Sequence, residues 1–109
     1  MNDFEQRFRA LELLGEEFAQ AHAQAEHLAE FRKSKKALLM IEAEKAGHKT
    51  TAAQEREAYA HPDYIALLDG LRVATEQALS LRHRIKACEM RFEAWRTKQA
   101  TRRAEMNLR

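Results

Sequence analysis

The chain is short of every residue that breaks or staples a fold. It has one proline, three glycines and one cysteine among 109 residues. A lone cysteine excludes a disulfide framework, which fits a reducing cytoplasm. Cys88 sits on an apolar stripe and reads as a small buried hydrophobe, not a nucleophile. β-Branched residues are few, so no strand is expected. No apolar run approaches the ~20 residues needed to span a bilayer. The N-terminus is acidic and amphipathic, without the apolar segment of a signal peptide. A soluble, cytoplasmic protein without a membrane partner is expected.

The patterns of catalysis are missing as well. There is no Gly-rich phosphate loop, no nucleophile elbow and no Cys-x-x-Cys. His22 and His27 are five apart and point to different faces of a helix. His83 stands between Arg82 and Arg84, which repel a metal ion. Glu42 and Glu44 are two apart and share no helical face. No enzyme, no metal site and no cofactor are expected.

What the chain does have is helix. Ala, Leu, Glu, Arg, Lys and Gln fill most positions, the composition of long helices. From Pro62 onward, Tyr64, Leu67, Leu71, Ala74, Ala78, Leu81, Ile85, Cys88, Phe92 and Trp95 recur in steps of three and four. That spacing puts one apolar stripe along a helix that needs a partner helix. A helix over 62–106 is roughly 65–70 Å long at 1.5 Å per residue. A compact globule of this size has a radius of gyration of only about 13 Å. An extended fold is therefore expected, with the stripe covered by the same chain or by another copy.

The remaining chain supplies two more helices. Asp3 and Gln6 stand at capping-box spacing, and Phe4, Phe8, Leu11, Phe18, Ala25 and Leu28 or Ala29 follow helical spacing. No breaker appears before Gly47-His48, so one helix is expected over about 3–46. A loop is expected around Gly47–Thr51. Thr50 or Thr51 can then cap a short helix over about 51–60, with Thr51 and Gln54 at capping-box spacing. His61-Pro62-Asp63 is a stop followed by a start, because proline disfavours helix before itself and suits the first turn after it. Beyond Trp95 the stripe degrades, and the tail from Thr101 to Arg109 is expected to fray. The fold class is thus all-α: one domain over 1–109, an extended hairpin of two long helices and a short middle one. Coiled-coil-like seams make homo-oligomers the natural remedy for its small core. Phe4, Phe8, Leu11, Phe18, Leu71, Leu81, Ile85, Phe92 and Trp95 are the candidate oligomer contacts.

Charge is banded. Residues 1–31 hold seven acids and two bases, and residues 32–49 hold six bases and two acids. Residues 50–79 hold five acids and two bases, and residues 80–109 hold nine bases and three acids. Most basic runs are solvated helical faces. Arg32-Lys33-Ser34-Lys35-Lys36 is denser than most and contains no acid, so it favours phosphates. Cations with aromatics between them suit a single strand, whose backbone they track and whose bases stack. The candidate nucleic-acid contacts are Arg32, Lys33, Lys35, Lys36, Lys45, Lys49, Arg56, Tyr59, Arg82, Arg84, Lys86 and Arg91. Phe92 and Trp95 lie on the ladder and read as core. Tyr59 lies off it and is the better stacking candidate.

Lys35-Lys36-Ala37-Leu38-Leu39-Met40-Ile41-Glu42-Ala43-Glu44-Lys45 resembles the Lys-Lys-x-x-Leu-x-Ile-Glu-Ala-x-Lys segment of the UvsY-type recombination mediators of T-even-like phages. Their Lys-x-Arg-x-x-Tyr element is matched at Arg56 and Tyr59, with Gln54 in place of the lysine. Ala58-Tyr59-Ala60, Leu81-Arg82 and Trp95-Arg96 look more like small proteins of tailed phages and prophages. The resemblance implies a homo-oligomer that binds single-stranded DNA non-specifically. It also implies two protein partners, a recombinase to be loaded and a single-strand binding protein on the strand. The alternative is a helical protein–protein interaction module that binds no nucleic acid, an adaptor or an inhibitor of a host nuclease or defence complex. The acidic band over 1–31 supports that alternative.

Overall fold

The structure is a computed structural model and describes residues 2–108. It is all-α, with three helices: α1 (Asp3–Lys45), α2 (Thr51–Ala60) and α3 (Pro62–Asn107). Among the described residues there is no strand.

The helix ends follow from local hydrogen bonding. Asn2, not Asp3, caps α1: its Oδ1 accepts the Glu5 backbone N–H at 2.8 Å. The asparagine side chain reaches the orphan donors of the first turn, and Asp3 adds favourable charge inside that turn. At the other end, the backbone N–H of His48 donates to the Ala43 carbonyl and that of Gly47 to the Glu44 carbonyl. This paired closure needs a left-handed residue, and Gly47 supplies it at φ +109°. Thr50 caps α2, its Oγ1 accepting the Ala53 N–H at 3.1 Å. The Gln54 side chain does not close a capping box with Thr51; it donates to the His48 carbonyl at 3.0 Å and ties the loop down. His61 ends α2 and begins α3: its N–H donates to the Ala58 carbonyl, and its Nδ1 accepts the Asp63 N–H at 3.0 Å. Pro62 sits at the first helical position, where its missing N–H is not needed. The expected fraying of the tail is replaced by helix through Asn107. The tail is rich in strong helix formers, so it stays helical while its side chains are exposed. Arg109, the last residue of that expected tail, lies outside the described residues.

The chain forms two compact units, Met1–Phe18 with Leu79–Arg109, and Ala19–Ala78. In the first, the start of α1 runs antiparallel to the end of α3. Leu14 and Leu81 are buried there, and Leu11, Phe18, Ile85, Cys88 and Phe92 are half-buried. In the second, Leu39, Ala58 and Tyr64 form a buried cluster that joins all three helices, with Met40 packed on it.

Along α1 the inward positions are 11, 14, 18, 21, 25, 28, 32, 35 and 39, all buried or half-buried. The seam therefore takes Leu14 and Ala21, while Gly15 and His22 stay outside. It also runs through Arg32 and Lys35. Along α3, the ladder from Tyr64 to Phe92 is buried or half-buried, and only Trp95 at its end is exposed. Within one chain, the helices already cover most of this stripe.

Candidate nucleic-acid interface

The basic block of α1 meets acids from the other two helices. Lys36 Nζ lies 3.4 Å from Glu55 of α2, and Lys35 Nζ lies 3.6 Å from Asp63 of α3. Lys33 pairs with Glu30 one turn earlier at 3.5 Å. Arg32 is half-buried on the seam. Lys36 also stands 4.7 Å from the centroid of the Tyr59 ring. The Tyr59 side chain first, and Glu55 after it, hold the Lys36 ammonium above the usual lysine range, against partial burial that lowers it. Tyr59 is exposed but engaged, edge-on to Tyr64 at 5.4 Å. Four cations in five residues thus carry much less free charge than their density suggests. Local acids reach only Lys33; Asp63 and Glu55, brought by the fold, match Lys35 and Lys36.

The other sequence candidates divide by unit. Lys45, Lys49 and Arg56 are exposed on the second unit, without an ion pair. Arg82 lies in the first unit, its guanidinium carbon 5.3 Å from the Phe18 ring centroid. Lys86 shares its flank of α3 with Glu89 and Glu93, three and seven residues on. Arg84 and Arg91 stand on the opposite flank.

That opposite flank is the cleanest cationic feature of the first unit. Arg84, Arg91 and Lys98 recur every seven residues, and Arg102 follows four later. Two turns of helix bring each back over the last, about 10.5 Å apart. All four are exposed, and none has an ion pair among the described residues. Arg91 also lines a cleft of ≈ 450 Å³ with Arg7, Phe4, Phe8, Leu11 and Phe92. The Phe4 ring lies among other rings at the cleft, its centroid 5.7 Å from that of Phe92, 6.2 Å from Trp95 and 6.3 Å from Phe8. Phe4, Phe8 and Trp95 are exposed. Such a surface offers cations at regular intervals and apolar ring faces beside them. Those are the two elements that hold a flexible polyanion with flat bases.

Sequence reasoning selected Arg84 and Arg91 and left out Lys98, which precedes the tail expected to fray, and Arg102, which lies in it and so had no fixed face. The seven-residue step to Lys98 was the signal that could have extended it. Arg7 was hidden by the acidic band that surrounds it. Phe4, Phe8 and Trp95, read as oligomer contacts, lie at this surface.

Among the described residues, no group of three or more His, Cys, Asp or Glu is placed to hold a metal ion. No helix among them is long and apolar enough to cross a membrane. Comparison with family models, curated proteins and solved structures finds no match to this chain.

Proposed function

We propose that the chain binds single-stranded nucleic acid without sequence preference, through the Arg84–Arg91–Lys98–Arg102 column of α3 and the exposed rings of Phe4, Phe8 and Trp95. The observation that carries this reading is the column itself: four exposed cations on one flank, none paired. Phosphates are its natural counterions, and release of condensed ions drives the binding. The resemblance of Lys35–Lys45 to recombination mediators extends the reading to a role: holding a strand so that a recombinase can be loaded where a single-strand binding protein sits. Lys35 and Lys36 serve the fold in this account, and α3 serves the strand.

The test is the affinity for labelled oligo-dT across a salt series. With four phosphate contacts per chain, log K against log salt should fall with a slope of about −3, at roughly 0.7 per contact on a single strand. A flat slope, or no binding near 0.1 M salt, removes the reading.

One observation favours a second reading, a protein-binding adaptor. The cleft beside Arg91 is lined mainly by apolar side chains, which suit the apolar side chain of a partner as well as a base. Such a partner would remain bound in high salt, whereas a strand would leave.

A further inference from the structure

Outside both seams, α1 carries a third ladder. Gln20, Gln24, His27, Phe31, Ser34, Leu38 and Ile41 follow one another in steps of four and three. All seven are exposed, with Phe31 at 40%, Leu38 at 54% and Ile41 at 49%. A third of the chain is Asp, Glu, Lys or Arg, yet none of these occurs on the ladder. A solvated helical face in such a chain carries charge. One that carries none over three heptads, with a bare Phe, Leu and Ile, has the pattern of a coiled-coil seam.

We propose that a second copy of this chain fills it, with the two α1 helices antiparallel and a two-fold axis at Phe31. Charge sets the direction. N-terminal to Phe31, residues 19–30 of α1 hold Glu26 and Glu30 and no lysine or arginine. After it, Arg32, Lys35 and Lys36 are half-buried, with Lys35 and Lys36 matched by acids of their own chain, and Lys45 is the exposed cation at the ladder's end. Antiparallel copies bring this end against the acidic half of the partner; parallel copies stack like on like. Register follows from the ladder's ends. One more step along α1 in each direction reaches Glu17 and Lys45, each fourteen residues from Phe31. Neither has an ion pair in its own chain. An antiparallel copy centred on Phe31 sets Glu17 of each chain opposite Lys45 of the other. A single patch that complements itself under a two-fold axis is how most homodimers close. The uncharged face is a poor site for a polyanion, and this interface is independent of the α3 surface that binds the strand.

The test is cysteine crosslinking of the full chain in a Cys88→Ser background. Phe31→Cys should form a disulfide-linked dimer under mild oxidation, because the axis places it against its own copy. Ile41→Cys alone should not, and Ile41→Cys mixed with Gln20→Cys should. His27→Cys mixed with Ser34→Cys repeats the test with Phe31 intact. Leu38→Glu should weaken the dimer at least about tenfold by setting a charge in the seam, while helicity stays unchanged because Leu38 is exposed in the single chain. Self-crosslinking of Ile41→Cys as fast as that of Phe31→Cys would mean a parallel pair and overturn the proposal. So would a monomer mass by light scattering with no crosslink from either mixture. A Leu38→Glu chain that still dimerises overturns it too.

Discussion

Lys35 and Lys36 lie in the densest run of charge in the chain, yet each has a carboxylate of its own chain beside it. Replacing both by glutamine should therefore change the affinity for oligo-dT by less than about twofold, since their charge is already matched by carboxylates of the chain and little of it is left for phosphates. Binding isotherms of the folded variant check this. The raised Lys36 pKa has a consequence for stability. A lysine whose folded pKa lies above its unfolded one stabilises fully below the ordinary lysine range and loses that contribution as pH climbs through the raised value. The urea midpoint should hold steady to about pH 10 and then fall, and Lys36→Met should flatten the part of the fall due to this group. Residue identity alone could not locate these partners: Glu55 and Asp63 are nineteen and twenty-eight positions away.

At the scale of the element, the sequence was nearly sufficient. The three helices, the loop after Lys45 and the stop at His61-Pro62-Asp63 are all legible, because breakers and caps act within a few residues. The errors are local competitions. Asn2 reaches the first turn ahead of Asp3, and Gln54 finds the His48 carbonyl in place of Thr51. The α1 seam was harder to read, because Arg32 and Lys35 lie on it with charged heads and aliphatic stems, and a hydrophobic template does not count them. Two glycines make opposite predictions. Gly47 holds φ +109°, so Gly47→Ala should destabilise the chain by about 1–2 kcal/mol, the usual cost of a left-handed conformation with a Cβ. Gly15 lies inside α1 with nothing within 4 Å of an added Cβ, so Gly15→Ala should stabilise it by about 0.5–1 kcal/mol. Urea denaturation followed by circular dichroism reads both.

At the scale of the molecule, the core is small. The buried apolar positions are Leu14, Ala21, Leu39, Ala43, Ala58, Tyr64, Ala74, Ala78 and Leu81. Most are alanines, which bring helices close but remove little apolar area from water. A chain built this way gains from a second copy, and its Tm should rise as protein concentration goes from about 1 to 100 µM, as mass action requires for a dimer. Exposed ladders are the least legible feature of such a sequence, since only the fold says which of several periodic faces is already used.

The basic bands that suggested a nucleic-acid partner survive unequally: Lys33, Lys35 and Lys36 of the first are matched by acids of the chain itself, whereas the Arg84–Arg91–Lys98–Arg102 column of the last is not. The most direct measurement compares two double variants on the same oligo-dT. Arg91→Glu with Lys98→Glu should lower affinity at least about a hundredfold at low salt and flatten the salt slope, while Lys35→Gln with Lys36→Gln binds like the unaltered chain. Equal losses in the two, or a loss confined to the α1 pair, would contradict the account.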